Sequence, residues 1–349
     1  MAYSTIPKGS LYMNTKLYTG NGSTNAQTGV GFQPDFTWIK ARSNAENHNL
    51  FDAVRGATKR IRSNGTEAED TRTTSLTAFG SDGFTLGSGS QVNTNGWTFA
   101  SWNWKAGTSF TNDASATGIG SIDSAGSFNN DSGFSIVSYT GTGSNGTIKH
   151  GLNTAPSMII FKNRSSVKGW SVYHKSIGAT KFLFLNETSA EQTYTPMFNN
   201  TEPTSSVFSV GTDLATNVSG NNYIAYCFAE KQGYSKFGSY TGNGNADGTF
   251  IYTGFKPAFL LIKRIQHSTS WQIQDNQRLG YNVNESSLFP DTNGAEGGGK
   301  GIDILSNGFK LRSTSGANNS SGDTFIYMAF AENPFVATSG TTAVPVTAR

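Results

Sequence analysis

The phrase Tyr-Thr-Gly occurs at Tyr18-Thr19-Gly20, Tyr139-Thr140-Gly141 and Tyr240-Thr241-Gly242, and a series of landmarks recurs behind it. Each phrase runs through a Gly/Asn-rich stretch to a proline, at Pro34, Pro156 and Pro257. Each proline opens an apolar strand with basic residues at its end, over 36–42, 158–164 and 259–264. Trp170 and Trp271 come next in the second and third copies, then Phe84, Phe208 and Phe309. An aromatic segment closes each copy, around Trp102-Asn103-Trp104, Tyr226-Cys227-Phe228 and Met328-Ala329-Phe330. From the second copy to the third, the tyrosines, prolines, tryptophans and Phe208/Phe309 all keep one offset of 101 positions. From the first to the second the offset is 121 to 124, because a Ser/Ala/Gly/Asp/Asn-rich insert intervenes. A fixed period of this size means homologous units that must pack on one another.

The spacing divides the chain into an N-terminal segment (1–17), a first unit (18–107), a linker (108–133), a second unit (134–233), a third unit (234–335) and a tail (336–349). Each unit has the size of one β-sandwich. β-Branched, aromatic and turn residues dominate, and good helix formers are sparse. Asn-Gly pairs such as Asn21-Gly22, Asn145-Gly146 and Asn307-Gly308 supply turns that need positive φ. Trp102 and Trp104 alternate with Asn103, as in a half-buried strand. The expected fold class is therefore all-β, with three tandem sandwich- or jelly-roll-like repeats, long loops and little helix. The segment 57–70 reads as a long polar loop. The diverged first unit and its longer linker favour a rod over a pseudo-threefold arrangement.

Charged residues are only 14% of the chain and the net charge is +3, so no basic stripe for nucleic-acid phosphates emerges. The single cysteine, Cys227, excludes an intrachain disulfide. No run of apolar residues reaches the roughly 20 needed to span a bilayer. The first residues lack the apolar core of a signal peptide, so synthesis and folding in a cytoplasm are expected.

Three tryptophans are candidate stacking faces for sugar rings: Trp97, outside the repeat pattern, and Trp170 and Trp271. The aromatic residues of the closing strands (Trp102, Trp104, Tyr226, Phe228 and Phe330) read as core. Asp52, His174 and Asp275 occupy matching positions, with Arg55 and Arg278 following in the first and third units. Their threefold recurrence points to a structural ion pair or loop brace, not a catalytic pair. The four histidines are scattered, and no spacing fits a zinc or calcium site, so no metal or cofactor is expected.

The phrases Leu-Tyr-Thr-Gly-Asn-Gly-Ser, Pro-Asp-Phe-Thr-Trp-Ile-Lys, Ser-Tyr-Thr-Gly-Asn-Gly-Asn-Ala-Asp-Gly and Leu-Ser-Asn-Gly-Phe-Lys-Leu-Arg carry a family resemblance. So does Phe-Ile-Tyr-Met-Ala-Phe-Ala-Glu-Asn-Pro-Phe near the end. Together they resemble a structural protein of tailed bacteriophages, especially those of marine bacteria, described as tail-fibre or virion proteins with lectin-like or SPRY-like domains. The resemblance runs from about Leu11 to Arg349 and brings no catalytic residue with it.

It implies a non-enzymatic protein of the virion surface, made in the host cytoplasm and released by lysis. A tail fibre or appendage that contacts the host is the leading expectation. The implied partners are other virion proteins (tail, adaptor or capsid) and a host surface glycan, with neither nucleic acid nor membrane insertion. A homo-oligomer or multi-copy assembly is expected. One alternative is a head or tail decoration protein that stabilises the particle. Another is a polysaccharide depolymerase, for which Asp52 with Glu46, or Asp275 with Glu285, would be the carboxylate pair.

Overall fold

The computed structural model describes residues 4, 6–334, 336–339 and 342–345. Strands account for 42% of the chain and helix for 5%, in several antiparallel sheets, as an all-β fold requires. Each unit has an inner sheet backed by a smaller outer one; the inner sheet has four strands in the first and third units and eight in the second, where the same four form its centre. In the first unit the inner order is Met13–Thr19, Thr98–Trp104, Phe36–Ala41, Asn49–Asp52. The same order recurs as Phe134–Thr140, Asn222–Phe228, Met158–Asn163, Trp170–His174, and as Ser235–Thr241, Thr324–Pro334, Phe255–Arg264, Gln272–Asp275. The proline-led strands Phe36–Ala41 and Met158–Asn163 are buried along their length because both faces are covered, and Phe255–Arg264 is buried over most of its length. In Phe36–Ala41, Phe36 and Trp38 belong to a central core, while Ile39 and Ala41 belong to the core between the two sheets of that unit.

That central core draws on all three units, which overturns the expected rod. The inner faces of the three sheets meet around a pseudo-threefold axis, contributing Trp38, Trp102 and Trp104, then Ile160, Tyr226 and Phe228, then Leu261, Met328 and Phe330. Equivalent register positions Trp104, Phe228 and Phe330 form a closed aromatic triangle, with centroid separations of 6.2, 5.9 and 5.9 Å. Edge-to-face geometry of this kind stabilises by about 0.5–1.5 kcal/mol per pair beyond the area buried. Three homologous sheets with one apolar face each solve their burial problem by facing one another, so none needs a separate partner.

The recurring phrase now has a physical reason. Tyr18, Tyr139 and Tyr240 donate their hydroxyls to the backbone carbonyls of Val92, Thr216 and Asn318. The next residues, Asn93, Asn217 and Asn319, are fully buried and clamp the loop after each Tyr-Thr-Gly, donating to the carbonyls of Ser23, Ser144 and Asn245. Each asparagine accepts from a loop N–H, of Asn21, Thr142 and Asn243 respectively. The glycine must be glycine: a Cβ on Gly20 or Gly141 would lie 2.2 Å from a backbone carbonyl oxygen.

Several boundaries shift. The first unit begins before residue 18, because the strand Met13–Thr19 pairs along its length with Thr98–Trp104. The linker is built structure: Thr108–Asn112 and Ser124–Asn129 form a hairpin that pairs with Phe134–Thr140 and extends the second inner sheet. The 57–70 segment is loop but for the short pair Lys59–Arg60 with Asp70–Thr71. Ahead of the first strand, Ile6 enters the central core and Gly9 packs onto the Ala331 carbonyl of the third unit. In the tail, Val336–Ser339 pairs with Thr342–Pro345.

Candidate functional site

Two of the three candidate tryptophans are not available to a ligand. Trp170 and Trp271 are 0% and 1% exposed, each wedged at a seam between units. Trp170 donates its indole N–H to the Arg62 carbonyl of the first unit (2.7 Å), and Trp271 to the Phe184 carbonyl of the second (2.8 Å). Sequence alone cannot tell a buried seam tryptophan from an exposed platform, since both are aromatic residues at a strand start. The third seam uses His48, which the strand register makes equivalent to the two tryptophans. Its Nε2–H donates to the Phe289 carbonyl of the third unit (2.9 Å), while Nδ1 accepts from Trp38. Trp97 is half-buried against the first unit's outer core.

The Asp and Arg positions are also structural. Arg55–Asp52 (2.5 Å) and Arg278–Asp275 (2.6 Å) are wholly buried ion pairs. Each carboxylate also receives a donor across a seam: the Tyr226 hydroxyl at 2.7 Å for Asp52 and the Trp102 indole N–H at 2.9 Å for Asp275. Neither reaches solvent, so neither can flank a glycosidic bond. At the matching position His174 donates from Nε2 to the Tyr327 carbonyl (3.2 Å), and burial lowers its pKa to about 4.

Three lysines that end the proline-led strands, Lys40, Lys162 and Lys263, are likewise fully buried. Lys162 donates to the carbonyls of Thr66, Asn163 and Lys168, and Lys263 to those of Thr188 and Thr269. Desolvation lowers the pKa of each lysine to about 8. Among the described residues no three His, Cys, Asp or Glu side chains group as a metal site would require.

The surface of the third unit is different. Ten residues separate Leu50 from its bridge partner Ile61, and ten separate Val172 from Leu183. Fourteen separate the equivalent pair Ile273 and Leu288. The longer segment projects Tyr281, 70% exposed, which lines two of three adjoining depressions. One of about 370 Å³ is lined by Asn276, Gln277, Tyr281, Asn282, Lys256 and Glu332. A second, about 360 Å³, shares Asn276, Gln277 and Glu332 and reaches the first unit at Asn14 and Thr15. A third, about 410 Å³, shares Tyr281 and continues past Val283 and Glu285 to Gly297. Through these shared residues the three adjoin as a shallow trough on the third unit, whose second depression reaches the first unit.

Amides and hydroxyls are the commonest groups of its lining; Lys256 and Glu332 pair across 2.7 Å, while Lys8 lines one depression and Glu285 and Glu296 another. Thr15 is nine-tenths buried, and its hydroxyl has no hydrogen-bond partner. The arrangement can hold a flat, polar ligand against Tyr281. Tyr281 escaped detection in the sequence because a four-residue deficit later in the third unit restores the 101-position offset at Phe309. A comparison of short intervals between paired strand residues, in place of distant landmarks, carries the signal.

Comparison with known families finds one match: a model described as Domain of unknown function (DUF7483) covers residues 8–334. No curated protein matches the chain. The matched span opens just before the first strand and ends with the third unit's closing strand, so it covers all three units around the pseudo-threefold axis.

Proposed function

Since the chain belongs to the DUF7483 family across its whole three-unit ring, we propose that the ring is a non-catalytic structural module of a bacteriophage virion surface, presenting the third unit's trough to the host. The observation that carries this reading is the division of labour among the polar groups. Lys162, Lys263, His48, His174, Asp52 and Asp275 each bond across a seam, whereas Tyr281 projects into solvent from the third unit's longer segment beside the depressions. A scaffold of repeated seams with one differing face suits display. The low charge and Gly/Ser/Asn-rich loops suit an exterior position, and the resemblance to tail-fibre proteins supports the same placement.

Immunogold labelling of intact virions tests the reading. Label at tail or fibre tips is the expected result, and label absent from particles would overturn it. Label spread over the head would replace host contact by decoration. The paired hairpin Val336–Ser339 with Thr342–Pro345, lying past the family match, favours that second role as an element to hold a neighbouring subunit.

A further inference from the structure

We infer that the trough along the third and first units is a binding site for a linear, uncharged oligosaccharide, with Tyr281 as its stacking platform. The inference deepens the host-contact reading and rests on it only for the source of the glycan; the site stands on its own geometry.

Four observations carry it. The trough lies where the three units cease to be equivalent, in a segment four residues longer than its two counterparts. A ring built for packing alone has no use for an extra segment that projects a tyrosine into solvent. The trough is also elongated: three depressions of about 360–410 Å³ join through shared residues, which suits an extended chain of sugar rings. Tyr281 offers an exposed aromatic face at the junction of two depressions, where the apolar C–H face of a pyranose can lie. Finally, Thr15 holds a desolvated hydroxyl without a partner on the trough wall, a state that a ligand hydroxyl would relieve.

The side chains of Asn276 and Gln277 stand beside it, with donors and acceptors in the number a polyol needs. Other ligand classes fit less well. Nucleic acid needs a cationic track, but Lys256 is neutralised by Glu332, and the single further lysine of the lining, Lys8, stands against Glu285 and Glu296. An apolar peptide needs anchoring pockets of hydrophobic side chains, which the lining does not provide.

The test uses the purified full chain on an array of defined neutral bacterial surface oligosaccharides of four to eight residues, followed by saturation-transfer NMR on those bound. Binding of at least one oligosaccharide is expected, with magnetisation transferred to ring C–H protons. Tyr281→Ala should weaken it about tenfold and Tyr281→Phe by less than about threefold, because the face and not the hydroxyl is used. Thr15→Val should weaken it about fivefold. Tyr194→Ala, at an exposed aromatic of the second unit outside the trough, should leave it unchanged. The inference is overturned if no oligosaccharide binds, or if binding survives both Tyr281→Ala and Thr15→Val. Tail labelling without sugar binding would remove this site and leave the host-contact role. Sugar binding without tail labelling would do the reverse.

Discussion

The Tyr226 hydroxyl of the second unit donates to Asp52 of the first across 2.7 Å, inside the central core. The equivalent bond joins Trp102 to Asp275. At the seam of the second and third units the register position of Tyr226 and Trp102 holds Met328, and the carboxylate position holds His174. The arginine three residues on, Arg55 or Arg278, becomes Ile177 there, packed against the same core. Two seams thus use a charged set and the third an uncharged one, each internally consistent.

Swapping whole sets should therefore be mild and splitting them severe. Asp52→Ala should cost about 3–5 kcal/mol, because it leaves the buried Arg55 with Glu69 alone as counter-charge and removes the acceptor of the Tyr226 hydroxyl. The combined replacement Asp52→His, Arg55→Ile, Tyr226→Met should cost less than about 2 kcal/mol, since well-packed apolar substitutes for buried ion pairs are tolerated. Denaturant midpoints of the single and triple variants decide this. Equal losses would show that the sets are not interchangeable.

The axial triangle gives a second expectation. Trp104 is 1% exposed and its indole N–H has no hydrogen-bond partner, whereas its two equivalents are phenylalanines. Trp104→Phe removes an unsatisfied donor worth about 1–3 kcal/mol of penalty and leaves a small void of opposite effect. The net change should stay within about 1 kcal/mol. Phe330→Ala, which leaves a large cavity at the same level, should cost about 3–5 kcal/mol. Thermal unfolding of both variants tests the contrast.

On the acid side, His150 and His174 have pKa values lowered to about 4 by burial, and burial drives His48 well below its usual value. An unfolded histidine takes its proton near 6.5, so the unfolded state binds more protons as pH falls through that range. Stability should decline from about pH 6.5 downward, by roughly 3 kcal/mol for His174 once pH reaches its folded value. His174→Gln should flatten that part of a stability-against-pH profile. An unchanged slope would remove His174 as a cause.

On the alkaline side the sign is unusual. Lys40, Lys162 and Lys263 fall to about pH 8 in the fold, against an unfolded value near 10.4. The folded state sheds these protons first, so their burial becomes less costly as pH rises from 8. The gain meets a limit near pH 10, where the unfolded chain ionises tyrosines such as Tyr18, Tyr139 and Tyr240, whose burial holds their folded pKa well above normal. A stability rise between pH 8 and 10 is expected, reduced in Lys263→Met. A flat profile would contradict it.

The clamp behind Tyr-Thr-Gly offers the sharpest local test. Gly141→Ala must push a Cβ against the Val218 carbonyl oxygen, and Asn217→Ala leaves a loop N–H and two carbonyls without their partner. Each should destabilise by more than about 2 kcal/mol. Gly220→Ala lies in open space, with strain from its positive φ of +77° as its only cost, and should lose about 1 kcal/mol. Loss as large as that of Gly141→Ala would show that backbone strain, and not close approach, sets the glycine requirement.

The units, their strands and the core aromatics were legible because each follows from short-range pattern: alternation, a proline, an Asn-Gly turn. The ring was not, since seam contacts such as Trp170 with Arg62 span 108 positions and leave no periodic trace. His48 hid its kinship with Trp170 and Trp271 because only the strand register equates them. The insert at 108–133 read as a linker from composition, yet small polar residues also suit a hairpin laid along an existing sheet edge. Tyr281 was missed because equal and opposite length changes cancel over the third unit.

The directions of the seam bonds carry one more consequence. The second unit reaches into the first (Trp170 to Arg62), the first into the third (His48 to Phe289) and the third into the second (Trp271 to Phe184). Three bodies in a row would share two boundaries; this cycle has three, and no unit is last. Fraying has nowhere to start, because detaching any unit breaks two seams at once. The chain therefore resists stepwise loss in the way a hoop does and a stack does not, and it should unravel in a single event.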